Sequence, residues 1–273
     1  MRNLLAANFF RLKRSLLFWG ILAFSFCAGT LISFNYYEMS QQESIPLDGA
    51  FFSYPILACI LTAVFIPLFF GREYSDSTIR NKIAMGRPRP LIYAANLLTG
   101  MAASALFCAA YMAVVLAAGI PLVGPLETAP ELTALIILGS LAALAAFCAL
   151  FTLVVMNCSK KSTAAVVCVL GTFLLLVAAI YLRSRLLSPE YLNGSWNADG
   201  EFIPGVPVPN PQYLGGTQRM VFALLYSLLP SSQVIEFASQ QAQDPGRMLL
   251  YSLAVIVLTT AAGTLLFRKK DLK

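Results

Sequence analysis

At 273 residues, 58% of them hydrophobic and only 12% charged, the chain carries about half the charge that a water-facing domain surface needs. Lipid must therefore solvate much of it, which excludes an ordinary soluble fold. The formal charge of +6 sits on basic residues that border apolar runs, which points to membrane topology rather than nucleic acid.

In chain order, the first fourteen residues hold Arg2, Arg11, Lys13 and Arg14. Leu5, Phe9, Leu12 and Leu16 share one helical face, and Asn3, Ala7, Arg11 and Arg14 another. That is the pattern of a helix lying in the inner interface; a basic tail that only sets topology fits as well. The apolar run at 15–37 is longer than a secretory h-region and no A-x-A-like site follows, so it is expected to be a retained anchor. Five more runs long enough to cross about 30 Å of hydrocarbon follow at 50–71, 90–120, 132–157, 162–182 and 248–267. The third continues to 126, which predicts a tilted helix and an outer turn near Pro121 and Pro125. The stretch 183–247 is the one long extramembrane segment. Its Gly/Pro-rich part, 194–216, reads as irregular loop, and Asn193-Gly194-Ser195 matches a glycosylation acceptor. Within it, the apolar stretch 220–235 is short and interrupted by Pro230, so it is expected to be re-entrant or interfacial rather than a span.

The expected fold is an all-α integral membrane protein, a single six-span domain over 1–273. Fifteen of the nineteen Lys and Arg lie in 1–14, 72–89, 160–161 and 268–273. With the N-terminus inside, these are all cytoplasmic, and the C-terminus is then inside too. Arg183, Arg185, Arg219 and Arg247 are the exceptions. Cys27, Cys59, Cys108, Cys148, Cys158 and Cys168 all lie in or beside apolar runs, so no disulfide framework is expected. The chain has no histidine, which excludes His-based triads and His-ligated metal sites.

The loop 72–89 carries the most information. It reads as a short surface helix with Glu73 and Asp76 in its first turn, where acids suit the macrodipole. Asp76 and Arg80 are spaced i,i+4 with the acid first. Ile79 and Ile83 form an apolar ridge, Gly86 suits the left-handed C′ position, and Pro88 blocks continuation. A charged helix placed there transmits force from a partner, or simply holds the topology.

The same loop resembles that of permease subunits in type-2 ATP-binding-cassette (ABC) exporters. That family tends to have a glutamate after span two, a Gly-Thr-Ile-Arg-like string, and then a glycine and a basic residue before span three. Here these are Glu73, Ser77-Thr78-Ile79-Arg80-Asn81-Lys82, Gly86 and Arg89, with Ser77 where glycine is usual and Pro88 where a small hydroxyl residue is common. Phe267-Arg268-Lys269-Lys270-Asp271-Leu272 is similar to the family's closing motif, and Leu229-Pro230-Ser231-Ser232-Gln233 resembles a weaker signature before span six.

The resemblance implies a coupling helix docking on an ATPase, with Glu73, Thr78, Ile79, Arg80, Lys82 and Arg89 as contacts. No G-x-x-x-x-G-K-[ST] phosphate loop occurs, so this chain is expected to bind no cofactor and to be non-catalytic. ATP and Mg would be used by two copies of a separate ATPase subunit. The family's pairing of permeases implies a second permease chain, identical or related, with Gly20, Gly29 and Gly171 as close-approach positions. The expected role is export of a peptide or a hydrophobic or amphipathic compound across the cytoplasmic membrane. The alternatives are a stand-alone carrier or immunity factor, and an intramembrane enzyme. The spans are nearly free of mid-membrane ionisable groups, which argues against a proton-coupled carrier, and Asn96 and Asn157 read as interfacial. No Glu, Asp or His cluster supports an enzyme.

Overall fold

The computed structural model describes residues 1–43, 45–76, 78–158, 160–196, 202–242 and 244–270. Ser77 and residues 271–273, which carry part of the resemblance, lie outside the described residues, as do the side chains of the 193–195 acceptor triplet.

Chain order runs α1 (Arg2–Lys13), α2 (Leu16–Ser40), α3 (Asp48–Phe51), α4 (Tyr54–Phe70), α5 (Arg72–Ser75), α6 (Thr78–Ala84) and α7 (Arg89–Val114). After a π-helical turn at Val115–Gly119 come α8 (Ile120–Leu122), α9 (Pro130–Asn157), α10 (Lys161–Leu187), β1 (Tyr191–Trp196) and β2 (Phe202–Pro209). The chain closes with α11 (Gly216–Leu228), α12 (Pro230–Ala238) and α13 (Pro245–Lys269). Among the described residues, six segments are long and apolar enough to cross a membrane: Leu16–Ser40, Asp48–Ser75, Arg89–Leu122, Pro130–Asn157, Lys161–Leu187 and Pro245–Lys269. The protein is an all-helical, multi-pass membrane protein apart from one hairpin.

Local chemistry sets several boundaries. Ser15 caps α2 by accepting from the Phe18 N–H at 3.4 Å, which separates the span from α1. The π turn falls where Pro121 offers no N–H and its ring crowds the preceding carbonyls, so the third span loosens before it ends. At that end Asp48 is buried and accepts from the Glu127 and Thr128 N–H groups, each at 2.8 Å. This ties the lead-in of α9 to the start of the second span.

The second and fourth spans have 67% and 56% of their apolar windows buried, against 11–33% for the other four, and so form the centre of the bundle. Phe18, Phe65, Phe69 and Phe107 cluster there with centroids 5.1–6.3 Å apart. The first span turns Phe24, Phe26 and Phe34 outward. In that orientation, on a membrane protein, they face lipid or another chain.

One expectation changes. The stretch read as irregular loop contains an antiparallel hairpin, β1 with β2, in register from Tyr191↔Pro209 to Trp196↔Phe202 and with an irregularity between Asn193 and Ser195. Its prolines masked it, yet proline is tolerated on a strand whose free edge needs no donor. The segment before the last span is a helix pair bent by 83° at Leu229. Ser231 at its tip donates to the Leu175 carbonyl at 2.8 Å. Leu175 is a dozen residues inside the end of α10, which at 1.5 Å per residue is roughly 18 Å. The pair thus dips into the bundle, where α12 packs on α4, α9 and α10.

Candidate functional site

The loop between the second and third spans is built from two short helices. α5 stops at Ser75 and α6 begins at Thr78, so Asp76 and Arg80 do not share the continuous helix that an i,i+4 pair needs. No such ion pair forms among the described residues; Glu73 takes its place as the paired acid. The other end follows expectation: Gly86 has φ +76°. Its N–H donates to Ile83 at 2.9 Å and the Arg87 N–H to Lys82 at 3.2 Å, the two bonds of a Schellman closure.

Because α5 is a single turn continuing the second span, Glu73 points into the bundle rather than out of the loop. Its side chain is fully enclosed and pairs with Arg11 of α1 and, at 2.5 Å, with Lys82 of α6. Its second oxygen accepts from Asn96 Nδ2 at 3.2 Å. Asn96 Oδ1 accepts from Asn8 Nδ2 at 2.8 Å, and Asn8 Oδ1 lies 3.5 Å from Lys82 Nζ. These contacts close a ring, Glu73–Asn96–Asn8–Lys82, drawn from α5, α7, α1 and α6. A buried carboxylate is tolerable only when paired and hydrogen-bonded, and the ring provides both.

A second arrangement holds the end of the last helix. Arg89 Nη1 donates to the carbonyls of Phe267 and Arg268, each at 2.9 Å, and of Lys270 at 2.7 Å, capping the open C-terminus of α13. Lys270 reaches across to the Cys158 carbonyl at 2.9 Å and sits 4.3 Å over the Tyr74 ring. Burial holds its ammonium below the ordinary lysine range. Tyr74 donates to the Met156 carbonyl. The basic closing motif thus clamps the ends of α9 and α13 to α5.

Of the six loop residues singled out from sequence, Glu73 and Ile79 are buried. Thr78 and Lys82 are half-buried, Arg89 belongs to the α13 cap, and Arg80 is exposed. The free surface of the loop is therefore carried by Arg72, Ser75, Asp76, Arg80, Asn81 and the turn 84–88. Asn96, read as interfacial, is buried at the centre of the ring, and Asn8 was missed. On α1 the buried stripe is Leu4, Asn8 and Leu12, not the all-apolar face. Arg11 also rests 5.3 Å over the Phe69 ring. The three glycines separate as well. A Cβ on Gly29 would lie 3.1 Å from the Tyr111 carbonyl, so this residue packs against its own third span, whereas Gly20 and Gly171 meet nothing within 4 Å.

The opposite end carries its own polar set on α12. Gln233 is fully buried, donates to the Ser227 carbonyl at 2.8 Å and accepts from Ser252. Glu236 accepts from Tyr226 at 2.7 Å. Phe237 presses on Gly139, where a Cβ would fall 2.2 Å from its ring.

The architecture is a six-span membrane bundle with a charged interhelical loop keyed into its first helix and third span. The chain belongs to the ABC-2 family transporter proteins: the family model of that description matches residues 4–179, from α1 to near the end of α10. No curated protein matches the chain. Among the described residues, no three Cys, Asp or Glu side chains converge as a metal site would require.

Proposed function

We propose that the chain is the permease subunit of an ATP-driven exporter. It works with a second permease, identical or related, and two copies of a separate ATPase that binds the ATP and Mg. The observation that carries this reading is that the family match runs through the loop at 72–89 and the helices it is keyed into. The distribution of Lys and Arg supports placing the loop and both termini in the cytoplasm of a cell whose cytoplasmic membrane holds the protein.

On this reading the ATPase meets the exposed surface of α6 around Arg80, while Glu73 and Lys82 act behind that surface. They bind the loop to α1 and α7, so a push on α6 moves those elements as well. Lipid-facing glycines at Gly20 and Gly171, on spans with little buried surface, suit the second permease; Gly29 does not. The cargo is a peptide or an amphipathic compound.

Reconstitution in sealed vesicles, with and without an ATPase expressed beside the chain, tests the proposal. ATP-dependent export should require both proteins. Arg80→Ala should insert normally yet hydrolyse ATP without export. Export by the isolated chain without ATP would sink the proposal in favour of a stand-alone carrier.

A further inference from the structure

Charge bias confines basic residues to one end of the bundle, yet the other end holds Arg183, Arg185, Arg219 and Arg247. Arg183, Arg219 and Arg247 line a single cavity of about 680 Å³ between the last turn of α10 and the first turns of α11 and α13. That volume is within the range of about 300–1,000 Å³ typical of small-molecule sites. Arg185 lines a separate cavity of about 430 Å³ beside α11.

The charges around the larger cavity do not cancel. Glu236 faces Arg183 at 3.6 Å and Asp244 faces Arg247 at 3.5 Å. Arg219 has no carboxylate within ion-pair distance among the described residues. Its Nη2 donates to the Leu186 carbonyl at 3.2 Å, and its guanidinium lies 5.7 Å from the Tyr213 ring. Three arginines against two carboxylates leave one positive charge.

The start of α11 adds to it. Neither α11 nor α13 has an acid in its first turn and each places an arginine there, but Asp244 at the N-cap of α13 answers Arg247, while Gly215 before α11 supplies no acid. A helix N-terminus already carries about half a positive charge, so an arginine in that turn is disfavoured unless an anion shares the site. Leu186, Leu187, Ala223 and Met248 give the wall an apolar strip, beside Tyr226, Ser227, Gln241 and Tyr251.

We propose that this cavity binds the phosphodiester headgroup of an amphiphile and lays its hydrophobic body along the apolar strip. Guanidinium forks match phosphate oxygens two at a time, and arginines arriving from three helices suit a tetrahedral acceptor better than a planar carboxylate. A single net negative charge balances the single surplus positive one. The family match ends at residue 179, before every residue of this site.

Calorimetric titration of the purified full-length chain in neutral detergent tests this, with three probes: dihexanoylphosphatidylglycerol, dihexanoylphosphatidylcholine and diethyl phosphate. The anionic lipid should bind at least tenfold more tightly than the zwitterionic one. Arg219→Gln and Arg247→Gln, both at exposed positions, should each weaken it at least tenfold with unchanged melting curves. Arg219→Lys should recover part of the loss, and Lys13→Gln at the far end should change nothing. Diethyl phosphate binding as tightly as the lipid, with the same Arg219 dependence, assigns the site to a soluble phosphodiester; much weaker binding assigns it to a lipid headgroup. Equal affinity for the two lipids, or wild-type affinity in both glutamine variants, would overturn the proposal.

Discussion

Replacing Glu73 with glutamine keeps the size of the side chain and one carbonyl oxygen but removes the negative charge from a fully enclosed position. Arg11 and Lys82 then lose their counter-ion. Taking one partner from a buried pair costs about 3–5 kcal/mol. Arg11 is 34% exposed and Lys82 14%, so the arginine recovers hydration by turning outward while the lysine is held in place. That puts the expected loss at the lower end, about 3 kcal/mol. At about 2–4 °C per kcal/mol, the apparent Tm of detergent-purified protein should fall by roughly 6–12 °C. Trypsin should also cut faster after Arg11, Lys13 and Arg14, since α1 is released from the ring. Lys82→Met in the same background should recover part of the loss, with a coupling energy of about 1–3 kcal/mol. A Tm within about 2 °C of wild type, or strictly additive effects of the two substitutions, would refute the buried-pair reasoning.

Gly139→Ala should lower stability by about 1–3 kcal/mol through overpacking, because its Cβ would fall 2.2 Å from the Phe237 ring. Phe237→Leu in that background should restore part of it, read by thermal unfolding of the double variant. Lys270 gives a pH effect. Its pKa is depressed in the folded state by burial, so between that value and 10.5 the unfolded chain binds more protons and stability rises with pH. Relative to Lys270→Gln, the wild-type protein should therefore gain stability as pH rises through the depressed value toward the ordinary lysine value. A difference that stays flat or falls over that window would contradict the buried placement of the ammonium.

The six spans were legible because twenty-odd uncharged residues leave few alternatives to crossing, and Gly86 and Pro88 announced the end of α6 by backbone chemistry alone. What stayed hidden depended on distant partners. Asn8 joins the buried face of α1 because Asn96, 88 positions away, completes its hydrogen bonds. Apolar patterning favours the wrong stripe in such a case. The break at Asp76 was equally invisible, since Asp76 and Arg80 carry good helical spacing; it is the inward turn of Glu73 that decides the geometry. The hairpin was lost for the opposite reason. Pro204, Pro207 and Pro209 argue against a strand wherever both edges are paired, but among the described residues β2 pairs on one edge only.

The ring around Glu73 also limits how the loop can move. Pulling α6 away from α5 would part Lys82 from Glu73, pulling α1 away would part Arg11 from Glu73 and Asn8 from Asn96, and sliding α5 away from α7 would strip the Asn96 bond from the enclosed carboxylate. Each separation removes a partner from a charge held inside the protein, which is costlier than displacing the set together. Below the ring, Arg89 fixes the start of α7 to the end of α13, and Lys270 fixes that end to α9. Displacement applied at Arg80 is therefore carried first by α1, α5, α6 and the near half of α7 as one body. Flexing is left to places such as the π turn at Val115–Gly119, where the third span's hydrogen bonding is already irregular.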